Sequence, residues 1–129
     1  MVAAALIDEA GRVLLQQRKL GGSHGGLWEF PGGKVEDDEI PENALVREIF
    51  EELGVTIAAP DLVPAAFASD ARAIGREPYL ILLYQCRRWT GEPRCLDGEA
   101  IAWYALDALD ALDMPPLDRP LAAALRKAI

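Results

Sequence analysis

Three glutamates near the middle of the chain, Glu48, Glu51 and Glu52, have the spacing most suggestive of chemistry. Residues three and four positions apart share one face of a helix, so the three carboxylates would form a cluster. Each exposed like-charged pair repels by roughly 0.2–0.5 kcal/mol, and Arg47 alone cannot neutralise three acids. Carboxylate and backbone carbonyl oxygens are the ligands of hard divalent cations such as Mg²⁺ or Mn²⁺. The cluster therefore predicts either a metal site or a solvated acidic face.

The element that must position these acids is a helix predicted from Pro41 to Leu53. Proline suits the first helical position, and Gly54 suits a left-handed C-terminal cap. Ile40 cannot cap the N-terminus with its side chain, which costs about 1 kcal/mol. At 100° per residue the apolar side chains fall on one arc, which predicts a buried face formed by Leu45, Val46, Ile49, Phe50 and Leu53.

Two adjacent glycines, Gly32 and Gly33, precede this helix, and glycine allows a ligand to approach main-chain groups closely. From Gly33 to Val55 the chain resembles the complete signature of the Nudix hydrolases, Gly-x5-Glu-x7-Arg-Glu-U-x-Glu-Glu-x-Gly-U, in which U is apolar. Every defined position is met, by Gly33, Glu39, Arg47, Glu48, Ile49, Glu51, Glu52, Gly54 and Val55. Seven identities at set spacings argue against a merely solvated acidic face.

The resemblance extends over nearly the whole chain. Five further segments are similar, in the same order, to segments of the MutT branch, which includes 8-oxo-dGTP diphosphatases: "LLQQR", "GLWEFPGGK", "CRRWTGEP", "DGEAIAWY" and "PPLDRPL". The resemblance implies an α/β (α+β) fold of the Nudix type, an α/β/α sandwich with a mixed sheet flanked by helices. The length of 129 residues predicts a single domain, with the Nudix box at residues 33–55.

The activity that the resemblance implies is hydrolysis of a nucleoside triphosphate to the monophosphate and pyrophosphate, with Mg²⁺ (or Mn²⁺) as cofactor. By position, Glu48, Glu51 and Glu52 would be the catalytic and metal-binding acids, with the carbonyl of Gly32 as another ligand. Glu52 and Glu48 are expected to be the primary ligands. Arg47 is expected to orient Glu51 and the preceding loop rather than to touch the substrate.

Two other positions are implied near the phosphates. Asp97 lies where the resemblance places a further catalytic acid, and Glu99 is close enough to compete; either could instead be an ordinary polar loop residue. Arg18 is a candidate phosphate ligand, because a guanidinium can bind phosphate oxygens in a bidentate manner. His24 lies in the glycine-rich loop that follows, where a lone histidine more often has no role.

For the base, the resemblance points to Asp118 at the start of the last helix. The alternative is a helix N-cap, and the residues alone favour neither. As an acceptor, Asp118 would suit a base edge rich in N–H groups, such as that of 8-oxoguanine or cytosine. Phe30 with the Trp28 region would form an apolar wall against the base. The remaining predicted substrate-binding positions are Pro31, Gly32 and Gly33.

The apolar runs predict the rest of the fold. "VAAALI" and "RVLLQQR" flank an Asp-to-Gly turn and predict a β-hairpin. Other strands are predicted at "LWEF", 55–57, 62–68, "PYLILLYQCRRW" (as a central strand) and "AIAWYAL". Two short C-terminal helices are predicted at 107–112 and 120–129. Strands mixed with helices at both ends indicate helices packed on a sheet.

Composition narrows the classes of partner. The formal charge of −8 and the lack of a Lys/Arg cluster argue against binding of DNA or RNA as a polymer. No export or membrane-spanning segment is evident, and the two cysteines, Cys86 and Cys95, lack metal-ligand spacing, so a cytoplasmic protein is expected. The expected partner is a small nucleoside triphosphate, and the expected state is a monomer or weak dimer. Alternatives are a CTP or modified-dCTP pyrophosphohydrolase and, from another class, a non-catalytic nucleotide-binding module.

Overall fold

The computed structural model describes residues 1–70 and 79–129. In these ranges the strands are β1 (Val2–Leu6), β2 (Arg12–Gln17), β3 (Trp28–Glu29), β4 (Gly32–Gly33), β5 (Val63–Ser69), β6 (Leu80–Cys86) and β7 (Ala100–Ala105). The helices are α1 (Pro41–Leu53) and α2 (Asp118–Ala128), and two 3₁₀ turns span Ala59–Asp61 and Leu106–Ala111.

The strands form two sheets. The first has the order β4-β1-β6-β5, with β1 and β6 parallel and the other pairs antiparallel. The second has the order β3-β2-β7 and is antiparallel throughout. The predicted α+β class with a mixed sheet and helices is confirmed, as is the interior position of β6 in its sheet.

The predicted hairpin between the first two strands is wrong in its pairing. The turn forms, because the Asp8 N–H donates to the Arg12 carbonyl oxygen and the Gly11 N–H donates back to the Asp8 carbonyl oxygen. Beyond one bridge between Ile7 and Val13, however, β1 and β2 enter different sheets. Both edges of β1 are already filled, by β4 on one side and β6 on the other, so β2 has no edge to pair with.

The core lies on both faces of β1, where alternate side chains point to opposite sides. Val2, Ala4 and Leu6 pack in a cluster with the α1 residues Leu45, Ile49 and Leu53. Ala3, Ala5 and Ile7 pack in a second cluster with the α2 residues Leu121, Ala122 and Leu125. The two helices therefore cover opposite faces, as the α/β/α prediction requires.

Helix α1 has the predicted bounds and the predicted ends. Ile40 makes no side-chain capping bond, and Gly54 closes the helix with φ 71° and an N–H that donates to the Phe50 carbonyl oxygen. The predicted buried face is wrong at one position, because the Phe50 side chain is 58% exposed. Glu52, by contrast, is only 7% exposed.

Several smaller elements differ from their predictions. Residues 55–57 form no strand, only an isolated bridge between Thr56 and Thr90. The first predicted C-terminal helix is a 3₁₀ turn, and the second begins two residues earlier than expected, at Asp118. The strands predicted at "PYLILLYQCRRW" and "AIAWYAL" are present as β6 and β7. None of the helices in the described ranges has the length and apolar character needed to cross a membrane.

Candidate active site

Glu52 is a carboxylate buried at the C-terminal end of α1. The side-chain amide of Gln16, on β2, donates a hydrogen bond to Glu52 Oε1 at 3.0 Å. Glu52 Oε2 and Gln16 Oε1 are both buried and have no hydrogen-bond partner within residues 1–70 and 79–129. A buried polar atom left unsatisfied costs about 1–3 kcal/mol. The fold therefore places acceptor oxygens where a donor or a cation is needed.

The electrostatic surroundings of Glu52 increase that need. Burial, together with the nearby negative charges of Glu48, Asp97 and Glu29, raises the pKa of Glu52 to about 8 despite the lowering effect of the Gln16 hydrogen bond. In the absence of a cation, these surroundings therefore disfavour the ionised form of the carboxyl group. A divalent ion would favour the ionised form, so its binding would release a proton.

The two glycines before α1 are required by close packing. A Cβ on Gly33 would lie 2.4 Å from Cδ of Glu48, so the carboxylate of Glu48 occupies the space of a side chain. A Cβ on Gly32 would lie 2.0 Å from the Val2 carbonyl oxygen. Hydrogen-bonded pairs alternate along an antiparallel ladder. Since the Ala4 N–H donates to the Pro31 carbonyl oxygen, the Gly32 carbonyl points away from β1, at the edge of the sheet.

Arg47 joins the acidic helix to the loop before it. Its guanidinium donates two hydrogen bonds of 2.8 Å to Glu39 and one of 3.0 Å to the Lys34 carbonyl oxygen. It also reaches Glu48 at 2.9 Å and Glu51 at 3.4 Å. The hydrogen bonds from Arg47 lower the pKa of Glu39 to about 2. Arg47 thus orients the loop and two of the three box acids.

The three box acids do not converge on a common point. Glu48 and Glu51 are bound to Arg47, whereas Glu52 is bound to Gln16. Within residues 1–70 and 79–129, no three Asp, Glu, His or Cys side chains are arranged to hold a metal ion. The structure therefore provides the predicted ligands on one element but orients them towards different partners.

A cleft of about 190 Å³ is lined by Gln16, Arg18, Lys19, Gly22, Ser23, Glu29, Asp97 and Gly98. Its lining residue Gln16 is the hydrogen-bond donor to Glu52. Arg18 is held in place at this cleft, with Nη1 2.8 Å from Glu29 Oε1 and Nε donating to the Ser23 carbonyl oxygen at 2.8 Å. The hydrogen bond to Glu29 raises the pKa of Arg18. The predicted phosphate ligand is thus a positive charge held in place at a cleft that also contains Lys19, Glu29 and Asp97.

The two remaining candidate acids, Asp97 and Glu99, both lie in the loop between Pro93 and Ala100, but only one of them lines the cleft. Asp97 lines the cleft, and its charge raises the pKa of Glu52. Glu99 is exposed and does not line the cleft; its backbone N–H donates to the Gln17 carbonyl oxygen at 2.8 Å. The structure therefore favours Asp97 over Glu99 as an acid that acts in this region.

A second cavity of about 440 Å³ adjoins the cleft and shares Arg18, Ser23 and Glu29 with it. Its other lining residues are Met1, His24, Ser69, Asp70, Tyr79, Ile81, Pro115, Pro116, Leu117 and Asp118. The shared residues make the cleft and the cavity neighbouring parts of one site.

Asp118 is the first residue of α2 and is 6% exposed. Its Oδ2 accepts a hydrogen bond of 3.0 Å from the backbone N–H of Phe30, and no side chain caps α2. The helix-cap interpretation of Asp118 is therefore wrong. Burial raises the pKa of Asp118 to about 7, while the Phe30 N–H and Arg18 lower it and Glu29 raises it.

The ring of Phe30 does not lie where an apolar wall against the base, its predicted role, would need it. Its ring is 3% exposed and packs in the α2-side core, and neither Phe30 nor the buried Pro31 lines the cleft or the cavity. Phe30 contributes its backbone N–H, which anchors Asp118. Trp28 likewise packs edge-to-face on Tyr104, with ring centroids 5.3 Å apart, and is not part of the cavity lining.

Gln16 and Glu29 are site residues that the sequence pattern does not identify. They pair across β2 and β3, and cross-strand partners project from the same face of a sheet. One signal was available: each is a polar residue directly beside apolar neighbours in a predicted strand, "VLLQ" and "LWEF". Their proximity to Glu52 depends on contacts between distant parts of the chain.

Comparison with known proteins relates the whole chain to one family. A model of the NUDIX domain matches residues 1–125. The CTP pyrophosphohydrolase of Escherichia coli is 34% identical over 120 residues, which cover 93% of this chain and 86% of the relative. An 8-oxo-dGTP diphosphatase of Haemophilus influenzae is 37% identical over 122 residues, with coverage of 93% and 86%. The crystal structure of a MutT NUDIX hydrolase from Burkholderia pseudomallei has a TM-score of 0.78 at 33% identity, covering 99% of this chain and 95% of the other.

Proposed function

The chain belongs to the NUDIX domain family and is a hydrolase of phosphoric anhydrides, and we propose that it converts 8-oxo-dGTP to 8-oxo-dGMP and pyrophosphate. Curated relatives that share about a third of its residues bear the name 8-oxo-dGTP diphosphatase. Such an activity would remove an oxidised nucleotide from the precursor pool of DNA synthesis.

The observation that carries the proposal is the order of groups along the two joined cavities. Asp97 lines the cleft together with Gln16, the hydrogen-bond partner of Glu52; Arg18 lies where the cleft meets the larger cavity, and Asp118 lines the larger cavity. The spatial order of these groups, first acids, then a cation, then a hydrogen-bond acceptor, is the order in which a nucleotide extended from its phosphates to its base would need them. The volume of about 440 Å³ at the Asp118 end is within the range of pockets that bind small molecules.

Enzymes of this family generally need a divalent metal ion, and the donor atoms present suit one, although the box acids would have to turn towards a common point to bind it. The unpaired buried oxygen of Glu52 and the carboxylate of Glu48 are hard oxygen donors of the kind that Mg²⁺ or Mn²⁺ takes. We assign Glu52 and Glu48 as primary ligands, with Glu51 and the carbonyl of Gly32 as further ones. When bound, such an ion offsets negative charge on the phosphate oxygens.

The chain's own groups then orient the reactants. Water forms a new bond to a phosphorus atom of the triphosphate chain, the bridging P–O bond breaks, and pyrophosphate leaves. Asp97 and Glu51, which lie beside the primary ligands, are the candidates to accept the proton of that water. Arg18, already fixed by Glu29 and Ser23, would bind phosphate oxygens without having to be ordered first.

At the other end, Asp118 would accept a hydrogen bond from the base. Its Oδ2 is bound to the Phe30 N–H, which leaves Oδ1 for an N–H of 8-oxoguanine. A second candidate substrate is CTP, or a modified dCTP, because the amino group of cytosine is also a donor. The 34% identical relative named CTP pyrophosphohydrolase supports that candidate.

A substrate panel tests the proposal. Purified protein with Mg²⁺ would be given 8-oxo-dGTP, dGTP, CTP, 5-methyl-dCTP and dATP, and the release of pyrophosphate would be measured. The expected result is the highest kcat/KM for 8-oxo-dGTP. A higher value for CTP or 5-methyl-dCTP would transfer the assignment to the second candidate, and no pyrophosphate from any nucleotide would refute the proposed function.

A further inference from the structure

Gln16 is a polar residue buried where the strand around it is apolar. Its side chain is 2% exposed, and the three preceding residues of β2, Val13, Leu14 and Leu15, are fully buried. Its amide donates to Glu52 Oε1, a residue 36 positions away on α1. No other residue of the described ranges donates a side-chain hydrogen bond to Glu52. The orientation of the Glu52 carboxylate is therefore determined from β2 rather than from its own helix.

The same side chain supports the loop that carries Asp97. A Cβ on Gly98 would lie 2.6 Å from Cγ of Gln16, so the loop backbone rests directly on the Gln16 side chain. The loop is tied at both ends, because the Leu96 N–H donates to the Glu52 carbonyl oxygen at 3.0 Å and the Glu99 N–H donates to the Gln17 carbonyl oxygen at 2.8 Å. Gln16 thus lies between the helix acid and the loop acid.

We propose that Gln16 is a positioning residue, which holds Oε1 of Glu52 so that Oε2 faces the cation and which sets the approach of Asp97 through Gly98. This inference rests on the proposed function, since it assigns Glu52 as a metal ligand. A side chain that fixes one oxygen of a ligand leaves the other oriented before the ion arrives. Groups that orient metal ligands in this way commonly change metal affinity or activity by about 10–100-fold when removed.

The test measures Mn²⁺ binding without substrate, by electron paramagnetic resonance of the free ion. Gln16→Met removes the amide while nearly keeping the volume. Gln85→Met, the same substitution in β6 and away from the site, is the control. We expect Gln16→Met to remain folded by circular dichroism and to raise the Kd for Mn²⁺ about 10–100-fold, with Gln85→Met unchanged. With nucleotide and Mg²⁺, kcat should fall by a similar factor while KM changes less than about threefold.

A second variant covers the case in which Gln16→Met does not fold. Gly98→Ala keeps the amide but inserts a methyl group 2.6 Å from both Cγ of Gln16 and the Gln17 carbonyl oxygen. It should therefore displace the loop and the Gln16 side chain and raise the Kd for Mn²⁺ in the same direction. A Kd in folded Gln16→Met within about twofold of wild type would overturn the proposal, as would an unchanged Kd in Gly98→Ala when Gln16→Met is unfolded. The wild-type protein distinguishes this failure from failure of the proposed function. If wild type binds Mn²⁺ but hydrolyses no nucleotide, the proposed function fails while the role of Gln16 in Mn²⁺ binding can still be measured.

Discussion

Two buried carboxyl groups define the two ends of the site, and their surroundings differ. Glu52 is anchored by a side-chain amide and surrounded by other acids, whereas Asp118 is anchored by a backbone N–H and lies near Arg18. Burial raises both pKa values, to about 8 for Glu52 and about 7 for Asp118. The two buried carboxyl groups therefore differ in what can offset their negative charge. The Glu52 end needs a cation from outside the protein, whereas Arg18 supplies positive charge at the Asp118 end.

The largest effect should come from the end that lacks its own cation. Glu52→Gln should lower kcat by orders of magnitude, because the amide cannot supply an anionic ligand. Circular dichroism should show that the fold survives, and Glu99→Gln, an exposed acid outside the cleft, should retain activity. Near-normal turnover in Glu52→Gln, or in wild type with excess chelator, would contradict the claim that the Glu52 end needs an external cation.

Arg18, which lies between the two ends, should affect every nucleotide alike. Arg18→Ala should lower kcat/KM about ten- to hundredfold for all members of the panel, because a hydrogen bond to a charged group contributes roughly 1.5–3 kcal/mol. Arg119→Ala, an exposed arginine on α2, is a suitable control. A loss confined to one base would show that Arg18 belongs to the Asp118 end rather than to the phosphates.

Asp118→Asn should change preference more than rate. The amide adds a donor where an acceptor stood, and one buried hydrogen bond is worth roughly 0.5–1.5 kcal/mol, so the kcat/KM ratio of 8-oxo-dGTP to dGTP should move about three- to tenfold or more. Asp118→Ala serves as the comparison. If both variants leave this ratio and the ratio against dCTP unchanged, Asp118 has only the structural role of binding Phe30.

The last expected effect is on stability rather than on turnover, as a pH dependence. A carboxyl whose pKa is higher in the folded than in the unfolded state keeps its proton longer when folded, so it lowers stability as pH rises from about 4 to about 7. As pH rises through this range, the free energy of unfolding of Asp118→Asn should therefore increase relative to that of wild type, by at most about 1.4 kcal/mol per pH unit. Urea titrations at several pH values measure it; a constant difference would mean that Asp118 is ionised throughout.

Much of the Glu52 end was predictable because its signals are local. The bounds of α1, the left-handed Gly54 and the shared face of the three glutamates all follow from residues within one helix. The Asp118 end was predicted less well, since Asp118 before "RPL" fits a helix cap as readily as a ligand contact. The hydrogen bond between Asp118 and Phe30 joins residues 88 positions apart, and neither local sequence predicts it.

The sequence by itself determined which acids, glycines and arginine are present at the site and at what spacing. An α-helix brings residues i, i+3 and i+4 together whatever surrounds it. Only the tertiary structure decided that Glu52 is buried and Phe50 exposed, that β1 and β2 enter different sheets, and that Gln16 and Glu29 face the acids. Burial and partner choice depend on which distant elements pack together, and spacing along the chain does not carry that information.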